Sequence, residues 1–274
     1  MKSKCLGLLY ILRGVLKFLA VFFCFILFFL SVFFLSIVFA FSCRCSKRLI
    51  VSRLIRVFDS CLIWIMNIRI TINRILPQKA GGKSGIFLVS NHLSYCDGFI
   101  LGFLFPVIYV GKAELKRWPL IGLMSDFSGT LFIDRSRKNH IAEYISAISE
   151  ALKGGVNILF FPEGTSTCGD ELLPFKPAFF EAAIEARSPI VPVSLIYKSV
   201  DGRILTKENR DFVYWYKDMT FLGHFFRLLC LGGLEVEVNI HPALEVEPAE
   251  ESGLSRKRVC EAAYEVISKD VIRM

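Results

Sequence analysis

From Phe18 to Ser42 the chain carries no charged residue, and its 25 positions are almost all Phe, Leu, Ile, Val or Ala. As a helix such a segment reaches about 37 Å, against a hydrocarbon core of about 30 Å. It is longer than the roughly 7–15-residue apolar region of a signal peptide, and no A-x-A-like cleavage site follows it. A retained anchor is expected, either crossing the bilayer or dipping into one leaflet. From Leu49 to Ile72 the arginines Arg53, Arg56 and Arg69 are interleaved with Leu, Ile, Val and Trp64. That pattern predicts an amphipathic helix in the membrane interface, although an ordinary surface helix carries the same signature.

Beyond Gln78, and after the small-residue linker Ala80-Gly81-Gly82-Lys83-Ser84-Gly85, the period changes. Short apolar runs at 86–90, 107–110, 130–134, 157–161, 190–197 and 234–240 predict strands. Between them, Ile141, Tyr144, Ile145, Ile148 and Leu152 mark one face of a helix over 139–153, and Val259, Ala263, Val266 and Ile267 mark another over 255–271. The alternation predicts an α/β domain over 79–274, with a mixed, largely parallel sheet covered by helices. Residues 1–78 would form the membrane anchor and interfacial helical region.

Composition fits this division. The chain has 274 residues and is 54% hydrophobic, enough for one sizeable α/β core and a membrane segment. Nine basic residues and no acid precede Asp59, while the remainder holds 24 basic and 25 acidic residues, so the net +8 lies at the membrane end. Cations beside an apolar helix suit anionic lipid headgroups and make a nucleic-acid partner unnecessary. The nine cysteines include no CxxC pair and no metal-like cluster with the four histidines. Reduced cytosolic thiols are expected, with neither metal nor cofactor.

The chemistry begins at Asn91-His92-Leu93-Ser94-Tyr95-Cys96-Asp97, directly after the first predicted strand of the soluble domain. An imidazole oriented by a carboxylate is a base at neutral pH, suited to removing a proton from an alcohol. Residues five apart on a regular helix point roughly 140° away from each other, so His92 and Asp97 can meet only across a turn. Taken alone, Asn91 and Asp97 could equally be turn or cap residues. Three further blocks follow: Gly129-Thr130-Leu131-Phe132-Ile133-Asp134-Arg135, Phe161-Pro162-Glu163-Gly164-Thr165 and Ile190-Val191-Pro192-Val193.

In this order and spacing the four blocks resemble the glycerolipid acyltransferase family typified by 1-acyl-sn-glycerol-3-phosphate acyltransferase, over roughly residues 80–245. The resemblance implies His92 as general base and Asp97 as its orienting acid. It implies that Arg135, Glu163 and Gly164, with the adjoining Thr165, hold the acceptor and that Lys112 helps bind phosphate. Arg135 would offer a fixed fork of donors at a strand end. A solvated face for Lys112, and a turn-organising role for Glu163, fit the sequence as well. Pro192 is expected to shape an edge strand or bulge. Ser94 and Cys96 lie in no recognisable nucleophile setting, so no acyl-enzyme is expected.

The implied reaction moves a fatty acyl group from acyl-CoA or acyl-ACP to the free hydroxyl of 1-acyl-sn-glycerol 3-phosphate. Its partners would be that donor, a lysophospholipid acceptor and a membrane, at the cytoplasmic face of the inner membrane if the source is bacterial. One position departs from the family pattern: Ser166 follows Thr165 where an arginine is usual, which removes an expected phosphate ligand. The stretch from Trp215 to His224 resembles a bacterial branch that includes lyso-ornithine lipid acyltransferases, so a lyso-ornithine lipid or other lysolipid is the alternative acceptor. A non-catalytic membrane lipid-binding protein is the alternative of another class.

Overall fold

The computed structural model describes residues 2–38, 44–73, 84–117, 122, 129–134, 138–244 and 252–271. Among these residues an eight-stranded sheet forms the centre, in the order β1-β8-β6-β2-β5-β3-β4 with β7 paired to β6. Its strands are β1 (Ile68–Asn73), β2 (Phe87–Ser90), β3 (Val107–Lys112), β4 (Leu131–Ile133), β5 (Asn157–Phe160), β6 (Ile190–Val200), β7 (Arg203–Ile204) and β8 (Leu234–Ile240). β6, β2, β5, β3 and β4 run parallel to their neighbours in turn, while β8 is antiparallel to β6 and parallel to β1. The fold is therefore α/β with a mixed, largely parallel sheet, as the alternating pattern predicts.

The central strand β2 is buried at all four positions, because a parallel strand covered on both faces needs apolar side chains throughout. Beside it, β6 overshoots: Val193 pairs with Ser90, the last residue of β2, and β6 continues to Val200. Pro192 corrects an expectation, since it lies on an interior strand. The neighbouring Ile190 bonds both ways with Leu244, and the Pro192 carbonyl accepts from the His241 amide. The side of β6 that lacks a donor at Pro192 thus faces the segment after β8, where no ladder bond is lost.

Among the described residues, seven α-helices surround the sheet: α1 (Lys2–Val38), α2 (Arg44–Met66), α3 (Cys96–Leu104), α4 (Ile141–Lys153), α5 (Phe180–Ala186), α6 (Phe221–Cys230) and α7 (Ser252–Val271). α4 packs on α5 and α5 on α7, whereas α2 packs on α3 and β3. α2 buries Ile55, Phe58, Asp59, Leu62 and Met66, a three-and-four spacing that makes one helical face.

The expected helix over 49–72 is thus two elements. α2 stops at Met66, Asn67 takes a left-handed φ of 55°, and Ile68–Asn73 becomes β1, paired with β8 throughout. The alternation Ile68, Ile70, Ile72 against Arg69, Thr71, Asn73 is the strand signal that the helical reading overrode. Residues 68–73 therefore share the sheet of the soluble domain, and the expected boundary at 78/79 falls outside the described residues.

α1 contains a 29-residue stretch, Gly7–Leu35, long and apolar enough to cross a membrane, with 17% of its most apolar window buried against the protein. Its inner face packs on α6 and α2: Val21, Phe28 and Val32 are buried, and the rings of Phe25 and Phe28 each meet Phe58 of α2 at 5.0 Å. Arg13 and Lys17 of α1 turn inward. Lys17 Nζ donates to the carbonyls of Met66 at 3.3 Å and Leu231 at 2.8 Å, at the C-terminal ends of α2 and α6. Arg56 on α2 donates in the same way to the Phe103 carbonyl near the end of α3. Part of the basic excess therefore satisfies helix C-termini, where carbonyls lack amide partners and the dipole favours cations.

Candidate active site

Because β2, β5 and β3 are parallel neighbours, their C-terminal ends lie along one edge of the sheet, the position at which α/β folds build clefts. His92 follows β2, Glu163, Gly164 and Thr165 follow β5, and Lys112 ends β3. Arg135, past the end of β4, lies outside the described residues. Asn91 sets the exit of the chain from β2: its side-chain amide donates to the Leu195 carbonyl at 2.9 Å and accepts the Leu195 amide at 2.8 Å. A side chain thus continues the β2 ladder along β6 after the β2 backbone has turned away.

The turn that follows brings His92 and Asp97 together. Asp97 N–H bonds to the Ser94 carbonyl at 3.1 Å and opens α3, which returns its carboxylate toward the preceding loop. Asp97 Oδ2 accepts the Leu93 amide at 2.6 Å, the Ser94 amide at 2.8 Å and His92 Nδ1 at 2.8 Å. Asp97 is fully buried, whereas the His92 side chain keeps 20% exposure. A carboxylate oxygen can only accept, so the proton of the neutral ring sits on Nδ1 and the lone pair on Nε2. Phe161 stacks on the imidazole, with centroids 4.1 Å apart and planes at 14°, and the His92 carbonyl accepts the Thr167 amide at 3.0 Å.

Glu163 reaches the same loop from β5. Its Oε1 accepts the His92 amide at 2.7 Å and its Oε2 the Leu173 amide at 2.9 Å, with the residue 3% exposed. Burial is the largest influence on its carboxyl and pushes its pKa up to about 7, while the two amides pull the other way. Gly164 takes φ 81°, a left-handed turn that favours glycine, and Thr165 stands exposed beside it. Ser94 and Cys96 are fully buried, and burial pushes the Cys96 thiol well above its ordinary range, so neither presents a nucleophile.

The sequence pattern assigns no role to two residues that touch the dyad. Phe161, the first residue of its own block, forms the wall behind His92. Tyr197 on β6 donates its hydroxyl to Asp97 Oδ1 at 2.7 Å. Alternation along β6 could have placed Tyr197 on a sheet face, but its meeting with Asp97 depends on how far β6 overshoots β2.

The strand-end crevice thus holds an imidazole against a buried carboxylate, and the chain belongs to the Acyltransferase family, whose model matches residues 67–196. The protein is an acyltransferase. It is 27% identical over 205 residues to the 1-acyl-sn-glycerol-3-phosphate acyltransferase of Neisseria gonorrhoeae, a match covering 75% of this chain and 77% of that one. It is 30% identical over 179 residues to the lyso-ornithine lipid O-acyltransferase of Brucella abortus, covering 62% of this chain and 67% of that protein. In fold it is similar to the crystal structure of the 1-acyl-sn-glycerophosphate (LPA) acyltransferase PlsC from Thermotoga maritima, with a TM-score of 0.64, 21% identity and 95% of each chain covered.

Proposed function

We propose that this acyltransferase moves a fatty acyl group from a CoA or acyl-carrier-protein thioester to the free hydroxyl of 1-acyl-sn-glycerol 3-phosphate, with His92 as general base. The observation that carries the reading is the 2.8 Å contact of His92 Nδ1 with the buried Asp97 carboxylate. With its lone pair on Nε2, His92 takes the hydroxyl proton as the oxygen attacks the thioester carbonyl. Asp97 fixes the tautomer and stabilises the imidazolium, and the proton then passes to the departing thiolate. General-base help of this kind contributes about 10²–10⁴ in rate.

Lys112, Gly164 and Thr165 are assigned to the acceptor, since they belong to segments that end on the same sheet edge, and Arg135 joins them by its place in the family pattern. Glu163 is assigned to positioning, because both of its oxygens hold backbone amides of the catalytic loop and its neighbour. The outward face of α1, lined by exposed residues such as Phe23, Leu30 and Phe34, is assigned to the membrane that supplies the acceptor. In a bacterium this is the cytoplasmic face of the inner membrane. A lyso-ornithine lipid acceptor is the second reading, favoured by buried Ser166 at the position where the family carries arginine.

The test offers purified protein in detergent labelled acyl-CoA or acyl-carrier protein with a panel of lysolipids, beside a His92→Ala control. Lysophosphatidic acid is expected to be acylated, with loss of at least about a hundredfold in the control. Equal turnover by His92→Ala would sink the mechanism. Activity on lyso-ornithine lipid with none on lysophosphatidic acid would replace the acceptor.

A further inference from the structure

We propose that Tyr197 is a positioning residue of this reaction, acting on His92 through the far oxygen of Asp97. The inference rests on the general-base reading of His92 and adds a member that none of the four sequence blocks contains.

The two oxygens of Asp97 have divided tasks. Oδ2 takes His92 Nδ1 and the amides of Leu93 and Ser94, while Oδ1 takes the Tyr197 hydroxyl at 2.7 Å. Tyr197 is 2% exposed and is among the largest fully enclosed side chains of the protein, with its ring edge against Tyr214 at 5.6 Å. Its position is fixed by the ladder: β6 is tied to β2 through Val193 and Ser90, then to the Asn91 amide through Leu195, and then to β8 through the Tyr197–Val236 pair. The hydroxyl therefore approaches Asp97 from a rigid strand, whereas His92 and Asp97 lie on the loop and first turn that follow β2.

A phenol donating to a buried carboxylate has two effects. It fixes rotation of the carboxyl group, so that Oδ2 stays against the imidazole. It also draws charge from the carboxylate, moderating the pull of Asp97 on the Nδ1 proton and hence the pH at which His92 loses its second proton. Burial, the charge of Asp97 and this hydrogen bond together push the Tyr197 hydroxyl well above the ordinary tyrosine range, so it remains a donor wherever the enzyme works.

The experiment compares Tyr197→Phe with the parent enzyme in full-length protein, using pH profiles and separate donor and acceptor titrations, and thermal unfolding to check folding. Tyr197→Phe is expected to lower kcat about tenfold and to leave both KM values within about twofold. It should move the acidic limb of kcat/KM up by about half a pH unit. In an Asp97→Asn background the same change should cost less than about twofold, since the residue through which it acts has lost its charge. A fluorotyrosine at position 197, which preserves packing and donates more strongly, should move the limb the opposite way. An unmoved limb in both variants, or an equal loss of kcat in the two backgrounds, would overturn the proposal. His92→Ala at parental turnover is a separate result, which removes the general-base reading itself.

Discussion

At the scale of single residues, the loop that carries His92 is held by carboxylates that accept backbone amides. Asp97 takes the amides of Leu93 and Ser94, and Glu163 takes those of His92 and Leu173. The imidazole is therefore positioned through its own main chain as well as through its ring. Glu163 makes this measurable. Burial raises its carboxyl from an ordinary 4.5 to about 7, so the folded protein binds that proton more tightly than the unfolded chain does. The resulting stabilisation is complete below the ordinary pKa and is lost as pH rises from about 4.5 to 7. At about 1.4 kcal/mol per pKa unit it amounts to about 3 kcal/mol. Thermal midpoints in detergent between pH 4.5 and 8 should fall by this component, and Glu163→Gln should flatten the dependence. A slope unchanged in Glu163→Gln would remove the assignment.

At the scale of elements, α3 is the part that brings Asp97 to His92, and it is fixed from behind by α2. Gly102 on α3 leaves no room for a side chain: a Cβ there would overlap both the Asp59 carboxylate from α2 and the Tyr109 hydroxyl from β3. The Tyr109 hydroxyl donates to that carboxylate at 2.7 Å, satisfying a fully buried acid between the helices. Gly102→Ala should therefore force α2 and α3 apart and cost about 1–3 kcal/mol or more, read as a lowered thermal midpoint. It should also lower kcat, because Asp97 lies one and a half turns before Gly102 on the same helix. A parental midpoint would show that the helices do not meet as described.

At the scale of the whole molecule, α1 has one face for the protein and one for its surroundings. Toward the protein it presents Lys17, Val21, Phe28 and Val32, and outward it presents Leu12, Leu16, Phe23, Leu30 and Phe34. Lys17 anchors helix ends rather than marking a membrane boundary, so the apolar outer face extends N-terminally past the uncharged stretch that begins at Phe18. Introducing aspartate at Phe23, Leu30 and Phe34 together should weaken membrane binding by several kcal/mol, since each charge in hydrocarbon costs about 2.5–3.5 kcal/mol. Vesicle flotation would show this as a shift to the soluble fraction. Retention on vesicles would move the membrane contact to another face.

Strands β2 to β6 and β8 and the long apolar helix were legible because local pattern governs them. β8 falls on 234–240 as the apolar alternation predicts, and the length of α1 follows from uninterrupted hydrophobicity. The end of α2 and the strand β1 were not, because Ile68–Asn73 becomes a strand by pairing with β8, more than 160 residues away. Pro192 was placed at an edge for the same reason, since where β8 ends is not written near Pro192. By itself the sequence singled out His92 and Asp97, which are spaced to meet across a turn between a strand and a helix, and the structure places them 2.8 Å apart. The tertiary structure decided what holds them. Phe161, Glu163 and Tyr197 come from other strand ends, and their distances from the dyad depend on strand order and register, which no local stretch of sequence encodes.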